Sequence, residues 1–378
     1  MKCLKGAKVI LKDRIAENLN VYFDEKIRAI TSDMPDESCE VIDCKGLFLS
    51  TGFIDIHIHG YANTDVADAD YEGIKNVSKR LPENGVTAWV PTSITAPMED
   101  VIKVLEVVRK MMPESREWIG AEILGVNVEG PFLNVKRKGA HEASLIIPPS
   151  AKAVEDYADV IRLITVAPEK DEGFKNIKRM KELGIIVSLG HSDADYDTAV
   201  SSFIDGGIDH ITHLFNAQTG LLHRDPGIVG ASLVSDVYTE LICDTFHVNK
   251  NLFPLVYKMK GDKLCIITDC VRAGGMPDGR YMLGSLAFNL NGIKCTLDDG
   301  TIAGSVLRMN QGVKNFYENS GCTLWEAVNA ASLNPARSIG IDKTKGSIEI
   351  NKDADFTLFD SDFSIKLTIA GGRTCYEA

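Results

Sequence analysis

Phe53-Ile54-Asp55-Ile56-His57-Ile58-His59 is a short apolar run, rich in β-branched residues, that stops on two histidines. Runs of the same kind recur at residues 86–92, 123–129, 160–166, 185–190, 208–213, 239–243 and 264–268. Helix-like stretches follow several of them, at 98–111, 174–183, 194–205 and 249–259. Continuous apolar strands, buried on both faces, are the mark of parallel sheets. Eight such units predict an α/β fold, a (β/α)8 TIM-type barrel, with helices near 307–319 and 323–331 closing its outside. An open doubly wound sheet would place a glycine-rich phosphate loop after an early strand, and no such loop occurs.

Outside this repeat the pattern changes. Residues 7–11, 19–23, 26–30 and 39–43 read as short strands between polar turns, and 346–350, 354–359 and 365–369 read the same way. The two chain ends are expected to pair into one small β-sandwich domain. The expected division is 1–50 for its N-terminal part, 51–344 for the barrel and 345–378 for its C-terminal part.

A chain of 378 residues, 44% apolar and 25% charged, suits a large barrel with a minor attached domain. The formal net charge of −12 repels nucleic acid and anionic membranes, so neither is an expected partner. Nine scattered cysteines with no C-x-x-C fit a reducing compartment. No run approaches the ~18 apolar residues of a membrane span. A soluble, cytoplasmic protein is expected.

Barrel enzymes carry their chemistry at the C-terminal ends of the strands. Polar residues fall there repeatedly: His57 and His59, Glu129, His191, His213 and Asp269. Side chains two apart on a strand point the same way, so His57 and His59 can converge on one metal. Alone, this pair would be two polar residues at a strand end; the acid and imidazoles at other strand ends make it a ligand pair. Glu129 closes an apolar strand, where a carboxylate without a partner is costly and a metal supplies one. His191 and His213 complete the ligand set. His210, three residues before His213, faces the other way and is read as structural. Asp269, at the end of the eighth strand, is read as the base that takes a proton from a metal-activated water.

The set H-I-H at 57–59, N-V-E-G-P-F at 127–132, K-G-A-H at 138–141, L-G-H-S at 189–192, T-H-L-F-N-A at 212–217, H-R-D-P-G at 223–227 and I-T-D-C at 267–270 resembles the N-acetylglucosamine-6-phosphate deacetylase family of the amidohydrolase superfamily. The likeness extends to I-A-G-S at 302–305, N-A-A-S-L-N-P-A at 329–336 and the tail from Gly346. It implies metal-dependent release of acetate from N-acetyl-D-glucosamine 6-phosphate in amino-sugar metabolism. It also implies a homodimer and one or two divalent metals per subunit, zinc foremost, with iron, manganese or cobalt as alternatives. Carried over with it are Glu129, His191 and His213 as ligands and Asp269 as the catalytic aspartate. His141 is implied to donate to the scissile carbonyl or a sugar hydroxyl. The implied substrate contacts are Ala140, His141, Asn216, Ala217, Arg224, His247, Ile302, Ala303 and Gly304. Arg224 suits phosphate because its planar fork binds oxygens in pairs, and in this family the neighbouring subunit can supply such an arginine. The galactosamine epimer, a cyclic amide or a nucleobase are the competing substrates, and a non-catalytic scaffold is the competing class.

Overall fold

The computed structural model describes residues 1–33 and 39–378. Eight parallel strands follow one another round a barrel: Phe53–Ile58, Val86–Ser93, Val126–Glu129, Ile161–Val166, Ile186–Leu189, His210–Ile211, Tyr238–Ile242 and Leu264–Ile267. Every residue of the first two is buried, which is why they read as apolar runs without a solvent face. Helices pack outside. In Met98–Ser115 the buried positions Val101, Val104, Leu105, Val108 and Met111 form one stripe at helical spacing. In Tyr71–Arg80, Ser78 accepts a hydrogen bond from the Trp89 indole on the second strand, 2.9 Å away.

The eighth strand meets the first without a full ladder. Asp269 N donates to His57 O at 2.9 Å and His59 N to Cys270 O at 2.8 Å. The Asp55 carboxylate, wholly buried, accepts from Thr268 Oγ1 at 2.5 Å and from its amide at 3.3 Å. Burial pushes the Asp55 carboxyl up to about 7, against the pull of these hydrogen bonds.

Both chain ends build two further sheets. One has the order Ile27–Thr31, Asn20–Phe23, Lys2–Lys5, Glu40–Asp43; the other has the order Arg373–Glu377, Ile365–Ala370, Phe356–Phe359, Phe48–Thr51, Lys8–Ile10, Ile15–Ala16. Leu4, Val9, Val21, Phe23, Leu49, Phe356, Leu358 and Ile369 are the core they share.

Three expectations about elements change. Residues 346–350 form no strand, because Gly346 is left-handed (φ +87°) and the segment turns round the buried Lys345. The third barrel strand is split, with Glu122–Ile123 separated from Val126–Glu129 by Gly125 at φ +137°. An antiparallel three-stranded sheet, Gly279–Leu283, Leu286–Asn291 and Lys294–Leu297, follows the eighth strand and has no counterpart in the sequence reading. No helix among the described residues is long and apolar enough to cross a membrane.

Lys345 ties the terminal sheets to the barrel. Its ammonium lies 2.7 Å from Glu122, 2.8 Å from Asp355 and 3.1 Å from Asp353, with 7% of the side chain exposed. Burial alone would lower its pKa; the three carboxylates, Asp355 foremost, reverse that and raise it. Removing one partner of a buried ion pair costs about 3–5 kcal/mol. Lys345→Ala is therefore expected to lower the thermal unfolding midpoint markedly, and an unchanged midpoint would show that the cluster does not hold the two parts together.

Candidate metal centre

Strands one, three, five and six deliver side chains to a single point. Glu129, last residue of the third strand and 2% exposed, receives the Nε2 atoms of five histidines. His213 lies at 2.9 Å, His59 at 3.1 Å, His191 at 3.2 Å, and His57 and His141 at 3.5 Å. Asp269 Oδ1 is 3.3 Å from His59 Nε2 and 3.7 Å from His57 Nε2. The structure thus brings together His57, His59, Glu129, His141, His191, His213 and Asp269, which the sequence places at strand ends or in one loop.

Glycines permit the approach. Gly130, next to Glu129, has φ +93°, and a Cβ there would stand 2.1 Å from Thr95 Oγ1. A Cβ on Gly190, next to His191, would stand 2.6 Å from Thr212 Cβ.

Hydrogen-bond partners fix which ring nitrogen faces Glu129 with a lone pair. His191 Nδ1 lies 2.9 Å from the Arg137 carbonyl, which can only accept, so Nδ1 carries the proton in the neutral ring and Nε2 is free to ligate. His57 Nδ1 lies 2.9 Å from the Glu240 carboxylate, with the same consequence. His141 is reversed. Its Nδ1 accepts from the Thr95 amide at 3.4 Å, which puts the proton on Nε2. His141 is therefore a donor facing the site, whereas His57 and His191, when neutral, present an Nε2 lone pair to it.

Two triads satisfy metal geometry, His57–His59–Glu129 and Glu129–His191–His213, each with donor atoms within 4.8 Å of one another. They share Glu129. The residues fit a divalent cation: His57 Nε2 is buried without a hydrogen-bond partner, and the Nε2 atoms of His191 and His213 face each other at 3.0 Å. Imidazole and carboxylate are the donor set for zinc or iron.

The electrostatics agree. Burial alone would push the Glu129 carboxyl up, but the imidazoles, His57 foremost, hold it well below the usual range. Burial opposes charge on His57 and His59, yet the carboxylates beside them raise both, His59 to about 9. Asp269 is likewise pushed up by burial and pulled down by His59 and His57, to about 2, so it is ionised at neutral pH. Burial, together with the charge of His191, lowers His141 to about 4 and keeps it neutral.

Above the cluster lies a cavity of about 370 Å³, lined among others by Ala140, Asn216, Ala217, His247, Ile302 and Gly304. A larger cleft of about 630 Å³ between barrel and terminal sheets has Lys345, Arg162 and Arg373 in its wall and none of these histidines. His247 Nδ1 lies 2.6 Å from Asp244, whose hydrogen bond and charge raise its pKa against the effect of burial. Two expected contacts do not reach the cavity. Ala303 is wholly buried, its amide used by the Cys295 carbonyl, and Arg224 is exposed beside His223. His210 is buried against Ser188, 3.2 Å away, and lies apart from the cluster.

Sequence reasoning missed Thr95, Glu169 and Glu240. Glu169 accepts from Asn134 Nδ2 and the Asp193 amide at 2.7 Å and from Ser192 Oγ at 2.6 Å, tying the loops beyond strands three and five. Glu240 had a signal: it is the one charged residue inside the run 239–243.

The amidohydrolase family profile matches residues 48–375. The N-acetylglucosamine-6-phosphate deacetylase of Bacillus subtilis is 36% identical, over 99% of this chain and 96% of that protein. The crystal structure of the same-named enzyme from Pasteurella multocida is 34% identical with a TM-score of 0.93, covering 99% of each chain. A mutant of the Mycobacterium smegmatis enzyme, solved in complex with N-acetyl-D-glucosamine-6-phosphate, is 26% identical with a TM-score of 0.91, again over 99% of each chain. With that likeness across nearly its whole length, and a histidine–carboxylate cluster fit for a metal at the strand ends of its barrel, the chain belongs to the amidohydrolase family.

Proposed function

We propose that the protein deacetylates N-acetyl-D-glucosamine 6-phosphate, giving D-glucosamine 6-phosphate and acetate in amino-sugar metabolism. The observation that carries this is the pair of triads sharing Glu129, with Asp269 and a proton-donating His141 beside them. The relatives that share the chain's full length support the choice of substrate.

Glu129, His191 and His213 would hold one divalent cation, and His57 and His59 with the shared Glu129 a second; such an ion would supply the Lewis acidity that polarises an amide carbonyl and makes water acidic near neutral pH. Zinc is the proposed ion; iron, manganese and cobalt accept the same donors. Asp269, ionised and facing His59, takes the proton of the attacking water and passes it to the departing amine nitrogen. His141 donates a hydrogen bond from its Nε2–H to the carbonyl oxygen as that oxygen gains charge, keeping its proton throughout. Thr95 keeps the proton on that nitrogen.

The sugar is assigned to the cavity over the cluster, with contacts from Ala140, Asn216, Ala217, His247, Ile302 and Gly304, and Ala303 as packing beneath. Arg224 is exposed and does not line this cavity, so it is proposed to serve the site of a second copy in a homodimer. The chain is read as barrel residues 51–344 with a sandwich from 1–50 and 345–378. A cytoplasmic setting suits its nine free cysteines.

Acetate release should be strong from N-acetylglucosamine 6-phosphate, and weak from the unphosphorylated sugar and from the galactosamine epimer. Equal turnover with and without phosphate would refute the substrate. Asp269→Asn should lower kcat about 10²–10⁴-fold at unchanged metal content; near-normal turnover would remove Asp269 from its role. Because carboxylates raise His59 to about 9 and raise His57 as well, loading metal at pH 7.5 should displace protons from this pair. A dye in weak buffer reads that release, and its absence would contradict the ligand assignment of this pair.

A further inference from the structure

Glu240 lies in the seventh strand, Tyr238–Ile242, with 1% of its surface exposed. One of its oxygens, Oε2, lies 2.9 Å from His57 Nδ1 and accepts the His213 amide at 3.0 Å. Those two histidines belong to different triads. The Glu240 carbonyl also accepts the Leu214 amide at 2.9 Å, so the residue grips the turn after the sixth strand from both its side chain and its backbone. His213 in that turn has φ +29°, a conformation that L residues reach only when held.

We propose that Glu240 is a positioning residue for the metal centre: it holds His57 in the tautomer and orientation that present the Nε2 lone pair, and fixes the backbone that aims His213. The inference rests on the metal-centre reading above and not on the choice of substrate. Its physical basis is acceptor chemistry. A carboxylate oxygen can only accept, so Nδ1 of His57 must carry the proton in the neutral ring, and Nε2 is left to ligate. An amide in its place offers a choice. If NH2 takes the position of Oε2, it opposes two donors and drives His57 to the other tautomer, which blocks the lone pair. If the amide oxygen takes it, both hydrogen bonds survive but lose the negative charge that raises ligand basicity.

The test is Glu240→Gln in the full chain, stripped with a chelator and titrated with zinc against a chromophoric competitor, with the visible spectrum of the cobalt-loaded form recorded alongside. The expected result is apparent zinc affinity lowered by about 10–100-fold, with an altered cobalt spectrum and a metal-free unfolding midpoint close to the parent's. Affinity within twofold of the parent and an identical cobalt spectrum would overturn the proposal. So would a lowered midpoint with normal metal binding, which is what a merely structural acid would give. Should Glu240→Gln fail to fold, Glu240→Asp is measured in the same way, since its shorter carboxylate cannot reach both donors: weakened zinc binding supports the proposal and parent-like binding overturns it. A parent protein that binds no zinc would instead refute the metal-centre reading itself, whichever substrate it turns over.

Discussion

Glu129 places a carboxylate at the mouth of the barrel where water scarcely reaches it, and the rest of the site is arranged around that charge. The effective penalty for burying an unpaired ion is several kcal/mol. It is met here by imidazoles arriving from the first, fifth and sixth strands and from the loop beyond the third. Such convergence needs several strand ends at one level on one face, and a closed parallel barrel provides it. The closure between strands eight and one is therefore part of the site. The hydrogen bond from Asp269 N to His57 O that seals the barrel also sets the proposed base beside the first ligand.

The same convergence strains the backbone. His191, His213 and Asp269 have φ of +47°, +29° and +50°, although none is glycine. Such conformations cost on the order of 1–3 kcal/mol each and persist only where the surroundings over-determine them. The surroundings do so: the Asn134 amide binds His191 O at 2.9 Å, the Asn216 amide binds His213 O at 3.0 Å, and the Ser305 amide binds Asp269 O at 2.8 Å. That last bond also ties the segment containing Ile302 and Gly304, which line the cavity, to the strained Asp269.

Much of this was legible in the sequence because the barrel's strands are buried on both faces. A polar residue at the end of such a run has nowhere to go except the strand-end face, and that is how His57, His59, Glu129, His191, His213 and Asp269 stood out. What was not legible depended on contacts rather than on pattern. Thr95 acquires meaning only when the loop bearing His141 folds over it, 46 residues on. Glu169 acts on two loops it does not adjoin. The sheet of 279–297 lies beyond the eighth strand, outside the repeat, and its short, half-exposed strands offer no continuous buried run to mark them. Arg224 is a role that a single chain does not display: it is exposed beside His223 and outside this chain's cavity, so its proposed place is defined only against a second copy.

The base of the barrel and its mouth face the same electrostatic problem and resolve it differently. At the base, three carboxylates surround the Lys345 ammonium, whose proton is held more tightly than in water. That cation is covalently fixed, its hydrogen bonds are spent on the acids, and it has no capacity left for a substrate. At the mouth, Glu129, Asp269 and Glu240 surround imidazoles whose charge can leave, since His57 and His59 are cationic only while they carry protons. A metal can take over the positive charge as those protons depart, which keeps the buried carboxylates balanced in either state. It also brings coordination positions that a lysine lacks. Balanced acids with a fixed cation make a joint between the barrel and the terminal sheets, and balanced acids with an exchangeable one make a site where chemistry can occur.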